Sequence, residues 1–264
     1  MIAQSAAYEL FFHRRWPNGF ECPRCAHNGC YTITTRRLPL YECRLCRHQT
    51  TLIAGTVLER SRTPLDKWAK AIEYLSSING VTAADLAAKV QVTVKSAWLM
   101  LRRIRIAIGK LEAERPFYGQ IKAGLDGLGP YYFLPSQRFK RERVILIGAS
   151  FHPTTNIPTA ITLQFVSEEH LDGKRLNRSG LNYYSHRLAR DGNKPILLNT
   201  RDMVRNPFLR YVFIDVKRWL NGIFKGPRSG SLQTYLNEYA FRWNLLVDKS
   251  PALDEWYRLC LSPK

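Results

Sequence analysis

The 264-residue sequence lacks several features that would point to other classes of protein. It has no run of about eighteen apolar residues, so no transmembrane helix and no membrane partner are predicted. Its N-terminus has no basic-then-apolar signal pattern, and no repeat or low-complexity tract occurs. No P-loop and no G-x-G-x-x-G fingerprint is present, which argues against ATP-driven helicases and dinucleotide enzymes. We therefore expect a soluble, cytoplasmic protein.

Acidic residues are scarce. Asp and Glu together number 21 against 40 Lys and Arg, which gives a net charge of +19 and a pI near 10.0. The excess is spread along the chain, with a net charge of +10 in residues 1–110 and +9 in residues 111–264. A field of one sign over the whole length suits a long polyanionic partner. We expect a nucleic acid, although solubility alone is the other explanation of such charge.

Four of the six cysteines fall in two C-x2-C pairs. The pairs are Cys22–Cys25 and Cys43–Cys46, with seventeen residues between them. Two pairs at this separation predict a tetrahedral zinc site, in which each pair forms a knuckle that offers two thiolates from one tight turn. Because four sulfur atoms leave no position for water or substrate, the Zn²⁺ is expected to be structural. Thiolates kept for a metal also argue for a reducing interior.

Two elements are predicted around the cysteine pairs. Residues 5–16 predict a short amphipathic helix that leads into a Pro-Asn-Gly turn. Residues 31–41 alternate β-forming side chains with Arg36 and Arg37, as a hairpin with a basic edge would. These two arginines either contact phosphate or form a solvated hairpin tip.

The periodicity becomes helical at Thr63, where Pro64 takes the first helical position. A capping-box pattern at residues 82–85 opens a second, short helix, and a third runs from about 93 to 108 after an abrupt turn. Three helices with such a turn between the last two predict a helix-turn-helix. The third helix is expected to present one apolar face, made of Val94, Ala97, Trp98, Leu101, Ile104 and Ile108.

The third helix also carries the candidate DNA contacts. Lys95 and Ser96 lie early in it, where a recognition helix touches the major groove. Arg102 and Arg103 lie further along, and a solvated basic face is the other interpretation of these arginines. The presence of a zinc ribbon ahead of the helices favours DNA as the partner.

Beyond a charged linker at 110–115 the pattern changes to strands. Strands are predicted at about 117–125, 131–134, 143–151 and 157–166, followed by a helix near 181–189 and a short strand at 196–198. Two further helices are predicted near 208–224 and 231–246. Strands first and helices after predict an α/β or α+β domain.

Several stretches resemble bacterial insertion-sequence transposases that carry a zinc ribbon ahead of a DDE-type nuclease domain. They are Arg15–Cys25, Tyr41–Thr50, Gly55–Leu65, Val216–Gly222 and Leu232–Asn244. The resemblance implies a multi-domain α+β chain whose last part has a ribonuclease-H-like α/β fold with C-terminal helices. The expected layout is an N-terminal helix at 1–18, a zinc ribbon at 19–60, a helix-turn-helix at 61–110 and the ribonuclease-H-like domain at 111–264. Because transposases commonly work as multimers, a homo-oligomer is one expected assembly.

In that family, acidic residues hold two Mg²⁺ ions that activate the attacking oxygen and stabilise the leaving oxygen at a phosphodiester. With the sequences aligned on Gly119, the positions of the first Asp and of the Glu two residues before it are taken by Gly124 and Lys122. Neither residue can replace a carboxylate ligand. Asp126 would point to the same strand face as Gly124 and could serve after a two-residue slip.

The resemblance implies two further metal-site acids. Asp215 takes the position of the third metal-site residue, and Asp172 is the candidate for the second. For Asp126, Asp172 and Asp215 alike, the alternative is an ordinary turn or surface carboxylate. Lys217 and Arg218 would contact the DNA backbone near this site or face solvent.

The sequence is compatible with three functions. The first is a transposase that binds double-stranded DNA at the terminal repeats of its element and, with Mg²⁺, cuts and joins it. The second is an inactive transposase descendant that acts as a zinc-dependent DNA-binding regulator or architectural protein, which Gly124 favours. The third is a zinc-ribbon component of transcription or RNA machinery, against which the transposase-like tail argues. The first two predict a nucleoid-associated location.

Overall fold

The computed structural model of the chain describes residues 6–36, 38–77, 79–129, 143–189, 194–227 and 229–263. The predicted strand at 131–134 and the candidate contact Arg37 lie outside the described residues. Contacts divide the chain into two units, Met1–Ala107 with Pro251–Lys264 and Ile108–Ser250. The last segment thus joins the first unit, whereas the sequence assigned it to the domain at 111–264.

The elements follow in chain order. The helices are α1 (Ala6–Arg15), α2 (Leu65–Ser77), α3 (Ala83–Val90), α4 (Val94–Glu114), α5 (Arg178–Leu188), α6 (Thr200–Arg205), α7 (Pro207–Phe224), α8 (Ser229–Val247) and α9 (Ala252–Leu261). The strands are β1 (Cys30–Ile33), β2 (Leu40–Cys43), β3 (Gln49–Thr51), β4 (Gln120–Leu128), β5 (Arg143–Phe151), β6 (Pro158–Phe165), β7 (Leu171–Asp172), β8 (Arg175–Leu176) and β9 (Ile196–Leu197). The sequence did not predict α6 and α9.

In the first unit, β1, β2 and β3 form an antiparallel sheet in that order. Aromatic rings join this small sheet to α1: the ring of Tyr41 lies 5.9 Å from that of Phe12 on the helix and 5.3 Å from that of Trp16, which follows the helix. The guanidinium of Arg15 donates to the backbone carbonyl of Ala54 at 2.8 Å and also to that of Leu52. The helix before the ribbon is therefore part of the ribbon's own core.

Helices α2, α3 and α4 confirm the three predicted helices. The capping box is present, since the Thr82 hydroxyl accepts from the Asp85 N–H while the Asp85 carboxylate accepts from the Thr82 N–H. Gln91 adopts a left-handed conformation (φ 58°) that ends α3 and makes the turn into α4.

The predicted apolar face of α4 is correct only in part. Ala97, Leu101, Ile104 and Ile108 are buried, but Val94 and Trp98 are 56% and 50% exposed. Each residue turns a helix by about 100°, so Trp98 faces well away from its buried neighbour Ala97. Met100, which the sequence did not place on this face, is buried instead.

Helix α9 completes the core of the first unit and packs against α1 and α2. Trp256 and Tyr257 are each 1% exposed, and the Tyr257 ring lies 5.6 Å from that of Phe11. An ion pair at 2.5 Å joins Arg14 to Asp254. Burial, with the carboxylate of Glu73 nearby, raises the pKa of Tyr257 to about 12.

The second unit is built on a four-stranded sheet in the order β6-β5-β4-β9. The first three strands are antiparallel, with Gln120 opposite Phe151, whereas β9 runs parallel to β4, with Lys122 opposite Ile196. One face packs against α7 and α8, and the other packs against α5. This confirms the predicted strands at 143–151 and 157–166 and the helices near 208–224 and 231–246.

The free edge of β6 is covered by two amide side chains of α8. Gln233 accepts from the Phe165 N–H at 2.7 Å and donates to the Leu163 carbonyl at 2.9 Å. Asn244 pairs with both backbone groups of Ile161 and also donates to Glu112. Helix α8 thus satisfies an edge that would otherwise pair with another chain.

Candidate metal centre and nucleic-acid interface

The four predicted zinc ligands converge in the first unit. The sulfur atoms of Cys22, Cys25, Cys43 and Cys46 all lie within 4.8 Å of one another. The Cys25 and Cys43 sulfurs are 3.6 Å apart, as are those of Cys22 and Cys46. A tetrahedral site with Zn–S bonds of about 2.3 Å requires sulfur atoms about 3.8 Å apart. The cluster therefore fits a structural Zn²⁺, which would pin the two knuckles together.

The two knuckles have the same backbone. In the first, the Ala26 N–H donates to the Cys22 carbonyl at 2.9 Å, and in the second the Arg47 N–H donates to the Cys43 carbonyl at 3.1 Å. Ala26 and Arg47 both have φ 57°, a left-handed conformation that turns the chain back after the second cysteine of each pair. The C-x2-C spacing places both sulfurs on the inside of such a turn.

The surroundings of the cluster favour a thiolate at Cys43, whereas at Cys25 a backbone hydrogen bond is outweighed by hydrogen bonds with the other three cysteines, which raise its pKa to about 12. Burial opposes ionisation of Cys43, but the backbone N–H groups of Cys46 and Leu45 and neighbouring thiols outweigh it and lower the pKa of Cys43 to about 7. Cys30, on the neighbouring strand, does not belong to the cluster, and burial raises the pKa of its thiol.

This geometry agrees with a comparison against known protein families. Residues 3–49 match the transposase zinc-ribbon domain. The transposase zinc-ribbon match covers α1, β1, β2 and all four cysteines, so the region that resembled a transposase ribbon in sequence is confirmed as one. Neither the curated proteins nor the solved structures give a match. Among the described residues, no helix is both long and apolar enough to cross a bilayer.

The zinc ribbon also presents a basic surface patch that the sequence did not reveal. The guanidinium carbons of Arg44 and Arg47 lie 5.0 Å and 5.7 Å from the ring centre of Tyr31, which is 49% exposed. We call these three residues the Tyr31 patch. They come together because β1 pairs with β2 in a fixed register, which the spacing of residues alone does not give. Arg36 is also exposed at the hairpin.

The predicted contacts on α4 have different environments. Lys95 is exposed, and Arg102 is exposed with its guanidinium 5.7 Å from the Trp98 ring. The Arg103 guanidinium donates to the backbone carbonyl of Glu59 at 2.6 Å, so it anchors the segment after the ribbon. Ser96 hydrogen bonds with Thr93, whose hydroxyl accepts from the Ser96 N–H at the start of the helix. Lys95 and Arg102 are therefore the two best placed to reach a ligand.

The three candidate acids belong to the second unit. Asp126, on β4, accepts from the Gly127 N–H at 2.7 Å, and Asp172 is exposed in the short β7–β8 hairpin. Asp215, on α7, accepts from the Tyr239 hydroxyl at 2.7 Å and lies 4.0 Å from Arg218. Burial and then this hydrogen bond raise the pKa of Tyr239 above its usual range. Of the other predicted contacts, Lys217 lies 5.6 Å from the Phe213 ring.

The structure does not gather these acids into a metal-binding group. Within the part of the chain that it describes, the four cysteines are the one group of three or more Cys, His, Asp or Glu side chains placed to share an ion. A catalytic role for Asp126, Asp172 and Asp215 stays a prediction.

The position of Gly124 is filled by a neighbouring side chain. A Cβ atom at Gly124 would lie 2.7 Å from the sulfur and 3.0 Å from Cγ of Met203. Met203, on α6, is 2% exposed and belongs to the core between the sheet and α7 and α8. Where the resemblance implies a metal-binding carboxylate, this chain has a packed thioether.

Proposed function

We propose that the protein is a transposase-derived DNA-binding protein whose first unit grips duplex DNA through a zinc ribbon and a helix-turn-helix. The observation that carries the proposal is the ribbon itself: residues 3–49 match a transposase zinc-ribbon domain, and its four sulfurs have the spacing that Zn²⁺ requires. The net charge of +19 supports a polyanionic partner. The short turn between α3 and α4 supports the helix-turn-helix.

The second unit supports a transposase origin for the rest of the chain. A sheet of three sequential antiparallel strands, joined beside its opening strand by a parallel β9, fits the ribonuclease-H-like fold that the resemblance implies. Helices on both faces fit it as well. Part of the tail that carries the resemblance, Leu232–Asn244, has a packing role here, because Gln233 and Asn244 cover the edge of β6.

The proposal is tested by the salt dependence of duplex binding. We expect the purified, zinc-loaded chain to bind duplex DNA with an affinity that falls steeply as salt rises. Because each lost phosphate contact lowers the slope of log affinity against log salt by about 0.9, the double change Arg44→Ala and Arg47→Ala should lower it by about 1.8. Fluorescence anisotropy at several salt concentrations measures both.

The matched control removes two exposed arginines elsewhere in the same unit, Arg60→Ala with Arg258→Ala. It loses the same charge and should keep the wild-type slope. Equal losses in both double variants would mean that general charge, and not the Tyr31 patch, contacts the DNA. Failure of the wild type to bind duplex DNA at low salt would refute the proposal.

A second candidate function is that of a catalytically inactive protein, and the position of Met203 favours it. We propose that the chain is an inactive descendant, because a two-metal site needs converging carboxylates and the Gly124 position is occupied by an apolar side chain. We expect no nicking of duplex DNA by the wild type with Mg²⁺ or Mn²⁺ under conditions where it binds the DNA. If the wild type cleaves DNA and Asp215→Ala abolishes this cleavage, the chain is instead an active nuclease.

A further inference from the structure

Helix α4 exposes large apolar side chains at its N-terminal end. Val94 and Trp98 are 56% and 50% exposed, although both lie on a helix whose other face is fully buried. Residues four apart are neighbours on a helix surface, so the two side chains form one apolar spot. Two neighbouring large apolar side chains left exposed on a helix make this spot a candidate contact with a partner.

The surroundings of this spot indicate a polyanion. Lys95 is exposed beside it, and the guanidinium of Arg102 lies 5.7 Å from the Trp98 ring. From Val94 to Leu111 the helix has no acidic residue. The partner must therefore offer apolar groups and negative charge within a few ångströms of each other.

The position along the helix restricts the partner further. Thr93 caps α4, so the helix begins at Val94 and its positive dipole end lies beside the apolar spot. In a helix-turn-helix, the first residues of the second helix meet base edges in the major groove. The base edges there present hydrogen-bond donors and acceptors, and the apolar group among them is the 5-methyl of thymine.

We propose that Val94 and Trp98 read thymine methyl groups in the major groove, flanked by Lys95 and Arg102 on neighbouring acceptors or phosphates. This rests on the proposed DNA-binding function. Against any other base edge, the two apolar side chains would remove water from polar atoms without replacing its hydrogen bonds. Four residues of helix advance about 6 Å, and base pairs are about 3.4 Å apart, so the two methyl groups lie within about three consecutive base pairs.

The test uses the full zinc-loaded chain and removes the methyl groups one at a time. Duplexes are first selected from a randomised pool by wild-type binding, and each thymine of the best duplex is then replaced by deoxyuridine. We expect two adjacent or nearly adjacent replacements each to weaken wild-type binding about fourfold, which is the effect of about one buried methyl group. Trp98→Ala should bind the selected duplex about tenfold more weakly and should no longer respond to deoxyuridine at its position.

The matched control is Ile106→Ala. Ile106 is 44% exposed on the same helix, but it lies two to three turns further along, beyond the reach of these base pairs. It should keep wild-type affinity and the full deoxyuridine effect. Val94→Ala provides a second variant, and zinc content with circular dichroism confirms that each variant is folded.

Three results would overturn the inference. Deoxyuridine could leave wild-type binding unchanged, or it could weaken the wild type and Trp98→Ala equally. Alternatively, Trp98→Ala could change the oligomeric state in sedimentation while DNA affinity stays constant, which would make the spot a protein contact. In each case duplex binding by the wild type persists, so the proposed function survives. Loss of all duplex binding by the wild type would refute both.

Discussion

Replacing Cys43 by serine is expected to remove zinc and DNA binding together. Cys43 is fully buried, and its sulfur lies 3.6 Å from that of Cys25. A serine hydroxyl is not a zinc ligand of the thiolate class, and three sulfurs cannot complete the tetrahedron. The metal would hold the two knuckles together, so its binding contributes to the folding free energy of the ribbon. Zinc should fall from one ion per chain to none by elemental analysis.

The loss of zinc should also weaken DNA binding. Without zinc the two knuckles separate, and the Tyr31 patch loses the register that brings Arg44 and Arg47 to one ring. We expect at least a tenfold fall in duplex affinity by fluorescence anisotropy at low salt, because the two phosphate contacts that we propose for this patch would be lost.

Cys30→Ser is the matched control. Cys30 pairs directly with Cys43 across β1 and β2 but stands outside the four-sulfur cluster. Burial raises the pKa of its thiol. The control should keep one zinc ion and wild-type affinity. Zinc retained by Cys43→Ser, or lost by Cys30→Ser, would mean that another set of side chains holds the metal.

The sequence predicts the zinc site well because its determinants are local. Each C-x2-C pair folds into a turn within six residues, and the left-handed residues Ala26 and Arg47 complete it without any distant contact. The capping box at Thr82 is local in the same sense and is confirmed. Local hydrogen-bonding rules therefore fix the ligand set before the fold is known.

Features that depend on distant contacts escape the sequence. The rotation of α4 is set by what packs against it, so Trp98 faces out although its periodicity allows either side. Arg103 resembles a DNA contact in sequence, yet its guanidinium binds backbone carbonyls near Glu59. The contact of Met203 with Gly124 joins residues 79 positions apart on α6 and β4. No spacing rule predicts any of these three.

A second large effect, on stability, is expected in α9, which belongs to the first unit although it lies near the C-terminal end of the sequence. Trp256, on α9, is 1% exposed in the core that α9 shares with α1 and α2. Trp256→Ala should lower the stability of this unit by about 3–5 kcal/mol, because it removes a large buried ring and leaves a cavity. Hydrogen exchange of the amides in α1 and α2 should then quicken at least about a hundredfold.

Hydrogen exchange is measured separately for each segment, because a chain of two units has no single free energy of unfolding. Leu253→Ala is the matched control on the same helix, since Leu253 is 37% exposed and a surface change costs no more than about 0.5 kcal/mol. The amides of β5 and α7, in the second unit, are the internal reference and should keep their protection in both variants. Equal quickening in the two units would mean that α9 stabilises the whole chain. Faster exchange in the second unit alone would mean that residues 251–264 belong to the domain at 111–264, as the sequence predicted.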